Sequence, residues 1–317
     1  MSDRKPRKQR GQAARSKSSP SPSPTDFRRA SEKMLQNIGK LLQEREFGST
    51  QEANAYLQDL LASGGIPETE PANVLERAQD VMYDAWEARG SRRAKLARQA
   101  LEISPDCADA YVLLAEETAR TPQEARALYE QGMRAGERAL GPHVFEEDVG
   151  HFWGLMETRP YMRAREGLAH MLWLLGEKRQ AIEHLTDMLR LNPGDNQGVR
   201  YTLANWLLSE GDDDALGKLL SQYKDDVMAG WVYSHALSRF RREGASTRAN
   251  AALKKAIQAN RFVPLYLLGR KKLPRQVPDY IGVGDENEAI DYAAGAIESW
   301  AKSSGALDWL ATNLAKS

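Results

Sequence analysis

The feature that most constrains this chain is a spacing. Glycines at 176, 211 and 244 are separated by 35 and then 33 residues, and each follows an apolar stretch with a leucine–alanine or alanine step. The clearest unit, residues 164 to 193, carries Leu168 and Ala169, then Gly176, then Ala181, and closes on Pro193. The next has Leu203, Ala204, Gly211 and Ala215; a third has Ala236, Gly244 and Ala249. A period near 34 residues with a turn glycine at mid-unit is that of the tetratricopeptide repeat, two antiparallel helices per unit. Two earlier units fit more loosely, one with Trp86 and Gly90 ahead of Pro105, the other with Ala108, Tyr111, Leu114 and Ala115 ahead of Ala125 and Leu128.

Small side chains at Ala169, Ala181, Ala204 and Ala249 let helix backbones approach, and Leu168, Leu172, Leu185 and Leu189 fill the remaining volume. The glycines supply the left-handed conformation that ends a helix, and Pro193 cannot continue one. A lone helix pair cannot bury its apolar face, so units must stack. The expectation is an all-α, tetratricopeptide-like α-solenoid of stacked helical hairpins, with the repeats over 72–260.

Outside the repeats the chain divides further. Residues 1–25 form a Ser/Pro-rich tail with seven Lys or Arg and no acid between Arg4 and Lys17, too polar to offset the entropy of ordering. A helical hairpin is expected over 26–65, with Asp26 as its first N-cap, Met34, Leu35, Ile38, Leu41 and Leu42 on one face, and a second helix from Ser49 or Thr50. The linker Ile66 to Pro71 separates it from the body. Residues 261–317 are expected to close the stack, the helix from Asp285 to Trp300 and the following Leu307, Trp309 and Leu310 covering its last apolar face.

Composition limits function. Forty-four basic residues balance forty-four acidic ones, so net charge names no nucleic-acid partner. The longest apolar run, Gly167 to Gly176, is about half the ~20 residues of a spanning helix, so no membrane span is expected. One cysteine, Cys107, excludes an internal disulfide, and a cytoplasmic protein is the simplest reading. Cys107 itself reads as packed or capping.

Three segments carry a closer likeness: ALEISPDCADAYVLLAEE (100–117), FVPLYLLGRKKLP (262–274) and DENEAIDYAAGAIESWAKSSGALDWL (285–310). They resemble the suppressor-of-tumorigenicity family, number seven, and bacterial repeat proteins that share its core, over about residues 75–310. The resemblance implies a helical-repeat fold and brings no catalytic residue to map. The animal members' flanking hydrophobic segments have no counterpart here, so membrane association is not carried over.

A scaffold holding a protein or peptide partner is therefore expected, with no enzyme activity and no cofactor. The first helix of each unit would line a concave groove: Arg163, Glu166, His170 and Trp173; Tyr201, Asn205 and Leu208; Tyr233, Leu237 and Phe240. Rings give area, and Asn or Arg fix backbone or carboxylate groups. Trp173, Leu208 and Leu237 read equally as core. Two alternatives stand. One is a metal-dependent enzyme using His143, Glu146, Glu147, Asp148 and His151, though the spacing is not HExxH. The other is a nucleic-acid adaptor acting through the basic tail. The glycines of the stretch 281–288 lack the strand, third glycine and lysine of a phosphate loop, so Asp285 reads as an N-cap.

Overall fold

The structure, a computed structural model, describes residues 24–278 and 280–315. All regular structure among them is helical. The basic tail expected over 1–25 lies, but for its last two residues, outside the described residues. The chain forms two compact units, dividing between Ala119 and Arg120.

The first unit holds α1 (Pro24–Gln43), α2 (Thr50–Ala62), α3 (Val74–Glu87), α4 (Ser91–Ile103) and α5 (Ala108–Thr118). α3 and α4 pair as a hairpin across Gly90, whose φ of 59° a side chain would resist. Ser49 and Asn73 cap α2 and α3, their side-chain oxygens accepting the amides of Glu52 and Glu76. Asp26 does not cap α1. It sits inside the first turn, and its carboxylate accepts both Nη groups of Arg93 at 3.0 and 2.9 Å, because burial demands a paired charge.

Nor does the linker keep α1 and α3 apart. The two helices pack together, and the linker folds back along α1: Thr69 donates to Asn37 at 2.8 Å and Lys33 pairs with Glu68 at 3.2 Å. Linker polar groups meet helix polar groups here, so the proline-bearing stretch adheres instead of spacing. Cys107 is fully buried at the N-cap of α5, its Sγ 3.8 Å from Oε1 of Gln79.

The second unit runs through α6 (Pro122–Leu140), α7 (Val144–Glu147), α8 (Arg159–Leu174), α9 (Lys178–Leu191), α10 (Val199–Glu210), α11 (Asp213–Gln222), α12 (Ala229–Glu243), α13 (Thr247–Ala259), α14 (Val263–Leu267), α15 (Glu286–Lys302) and α16 (Ala306–Leu314). Helices α8 and α9, α10 and α11, and α12 and α13 pair as hairpins, turning at Gly176, Gly211 and Gly244 with φ of 85°, 74° and 64°. Ala169, Ala181, Ala204 and Ala249 are buried where the helices approach. Helices α6 and α8 also pack tightly together. A Cβ added at Gly136 would stand 2.8 Å from Cβ of Tyr161, so only hydrogen fits.

The C-terminal helices do more than close the end of a stack. α15 lies against α10 and α12, and α16 against α13. Tyr292 and Trp300 of α15 face the ring of Tyr233 with centroids 5.7 and 6.4 Å away, and Trp309 of α16 stacks on Phe240 at 4.5 Å. Glu288, buried at the start of α15, accepts the Ala229 amide that opens α12, the Gly284 amide and Nδ2 of Asn260, each at 2.8 Å. One carboxylate thus joins the ends of three helices, two of them N-termini whose aligned amides favour negative charge, while the C-cap Asn260 of α13 reaches it through its side chain. Asp285 caps α15 as its sequence position predicts.

Candidate functional site

The residues expected to line a groove are brought onto neighbouring helices, but most are already occupied. Tyr233 is fully buried and donates its hydroxyl to the carbonyl of Asn260 at 2.7 Å. Arg163 is buried too. Neither offers a surface: α12 and α8 are each packed on more than one side, so these positions turn inward. Leu208 and Leu237 are core, the second of the two readings. Tyr201 is half-buried and pinned, donating to Asp226 at 2.7 Å and accepting from Nη2 of Arg200 at 2.7 Å. Burial first and the Asp226 carboxylate second push its phenol well above the ordinary range, against the lowering effect of Arg200.

Asn205 meets the chain's own α15, since a Cβ on Gly295 would lie 3.0 Å from its Nδ2. Glu166 accepts from Gln197 at 2.7 Å and ties α8 to the loop before α10. Of the expected set, His170 keeps an exposed side chain, its ring edge-on to Trp206 with centroids 5.4 Å apart. Trp173 stacks flat on Trp206 at 4.5 Å, under Nζ of Lys178. The face of α10 and α12 expected to hold a guest therefore holds α15.

The segment 141–154 behaves as structure. Phe145, Phe152 and Tyr161 cluster with centroid separations of 5.0 to 6.2 Å, and the amides of Gly150 and Phe152 donate to the carbonyl that ends α9, Leu191. His143 and His151 point to solvent. Among the described residues no three His, Cys, Asp or Glu converge to hold a metal ion.

An open cavity of about 1320 Å³ lies elsewhere, between α11, α12 and α13. Leu220, Trp231 and Val232 are its buried apolar residues, and Ala251 and Ala252 lie on its α13 side. Six cationic side chains line it, Lys218, Lys224, Arg239, Arg242, Arg248 and Lys255, against three acids. Each acid is already paired: Asp214 with Arg242 at 2.9 Å, Glu243 with Arg239 at 3.3 Å, and Asp226 with Arg200 at 2.8 Å. Lys218, Lys224, Arg248 and Lys255 have no acidic partner among the described residues. His235 accepts from Nε of Arg239 at 2.9 Å. Burial, then the charges of Arg239 and Lys255, hold its imidazole below the ordinary 6.5.

Reading the first helix of each hairpin as the lining one misses this groove. A signal was present: α13, from Thr247 to Ala259, has three cations and no acid, and Arg248 and Lys255 stand two turns apart on one face.

A family model described as ST7 protein matches residues 69–190. Suppressor of tumorigenicity 7 protein-like from Rattus norvegicus is 32% identical over 259 residues, covering 74% of this chain and 46% of its own. The Homo sapiens protein of that name is 31% identical, covering 74% and 45%. Suppressor of tumorigenicity 7 protein from Macaca fascicularis is 28% identical over 284 residues, covering 74% and 52%. The chain thus spans about half the length of the curated relatives it matches. Among the described residues no helix is long and apolar enough to cross a membrane. The likeness read from residues 100–117 falls inside the matched stretch, and through residues 69–190 the chain belongs to the ST7 protein family.

Proposed function

We propose that the chain is a non-enzymatic scaffold that holds a peptide or helix of another protein, and that the groove between α11, α12 and α13 receives it. The observation that carries this reading is the cavity itself. At about 1320 Å³ it exceeds the ~300–1,000 Å³ of small-molecule pockets, and it is open to solvent with a mixed lining of charged, polar and small apolar side chains. With one face of α10 and α12 filled by α15, this groove is an accessible hollow of the second unit. Among the described residues the histidines of 143–151 join no cluster of metal donors, and the basic tail lies, but for its last two residues, outside them.

A steric plug tests the reading. Ala251 is exposed inside the groove, so Ala251→Trp fills space without disturbing the core. Affinity capture with wild type, with this variant, and with Tyr201→Ala/Asn205→Ala should lose the same partner from the plugged protein. A partner set unchanged by the plug would reject the groove.

A further inference from the structure

The groove is electrostatically lopsided in a chain whose total charge is zero. Like charges on a shared wall repel, and a surplus is tolerated at low cost only while each head stays in water. Lys218, Lys224, Arg248 and Lys255 are all exposed and come from two helices and the loop after α11. They therefore face one another across the opening with their charge unspent. Between them Ala251 is exposed and Ala252 partly so, which leaves a small apolar surface on the α13 side. Cations around a small apolar surface select a guest having both carboxylates and a small apolar side chain.

We propose that this groove binds a short acidic peptide, carboxylates on Lys218, Lys224, Arg248 and Lys255 and a small apolar residue against Ala251 and Ala252. The proposal rests on the scaffold reading and adds the partner's chemistry to it. A nucleic acid fits less well. Trp231 is 3% exposed, so its face is closed to a stacking base. Carboxylates on Lys and Arg gain charge-assisted hydrogen bonds, and burial of one apolar anchor supplies the rest.

Selection of a displayed library of random short peptides on the full chain, with the Ala251→Trp protein as a counter-screen, tests this. Peptides lost on plugging should be enriched in Asp and Glu around one apolar residue. Lys218→Glu/Lys255→Glu should weaken the best of them about tenfold or more, Lys218→Arg/Lys255→Arg should retain it, and added salt should weaken it further. Circular dichroism melting of each variant checks that the fold persists. Plug-sensitive peptides without acids would overturn the charge inference while leaving the scaffold standing. No plug-sensitive peptide at all would overturn both. A single-stranded RNA or DNA oligonucleotide bound more tightly than any peptide, and released by Lys218→Glu/Lys255→Glu, would overturn the inference in favour of nucleic acid.

Discussion

At the residue scale, two histidines are held as neutral acceptors by arginines. Nδ1 of His184 accepts from Nε of Arg165 at 3.3 Å, and Nε2 of His235 from Nε of Arg239 at 2.9 Å. Burial first, and the neighbouring cation second, lower both values from 6.5. The folded state thus prefers the uncharged ring, so unfolding takes up protons in the window below about 6.5. The stability these rings contribute is whole above that value and is lost as pH falls through the lower folded one. Melting temperature should therefore drop between neutral and mildly acidic buffer, and His184→Gln/His235→Gln should flatten that drop. An unchanged slope in the double variant would show that the rings do not couple to folding.

At the scale of elements, α6 and α8 meet through a notch. Ala at position 136 would favour the helix by up to ~1 kcal/mol, yet its methyl would press on Cβ and Cα of Tyr161, at 2.8 and 3.1 Å. Overpacking of this kind costs about 1–3 kcal/mol, and backbone atoms are among those that must yield. Gly136→Ala should destabilise by about 1–2 kcal/mol in urea unfolding, against the sign that helix propensity alone predicts. A neutral or stabilised variant would mean that the helices slide apart freely. Turn glycines were legible because a period of about 34 residues repeats them. Gly136 was not, because a notch depends on which side chain stands opposite, and Tyr161 is 25 positions away with no spacing rule linking them.

For the whole molecule, helices and hairpin turns followed from local pattern, since alanine–leucine periodicity and glycine placement act within a few residues. The groove did not. Its lining comes from three helices, and its character depends on which cations lack a partner, a property of tertiary arrangement. Asn205 and Tyr233 depart from the expectation for a related reason: spacing tells that a helix has two faces, not that α15 will come from 50 or more positions further on to meet them, while Tyr201 is occupied by Asp226 and Arg200. Asp26 was misread likewise. As a short acid at a helix start it suits a cap, but Arg93 drew it into an ion pair 67 positions away.

The connection from Leu267 to Glu286 leaves Arg270, Lys272 and Arg275 in solvent, whereas both flanking helices are anchored on the second unit. Covalent continuity there should be dispensable once the protein has formed. Trypsin should nick this stretch early, as at exposed connections generally. The two fragments should then co-elute under native conditions and part only in denaturant, the shorter one held by contacts that include Glu288, Tyr292, Trp300 and Trp309. Separation of the nicked chain in plain buffer would show those contacts too weak to stand in for a peptide bond. If they do suffice, the gene could be split at this site and the halves would find each other, a complementation pair supplied by the native architecture.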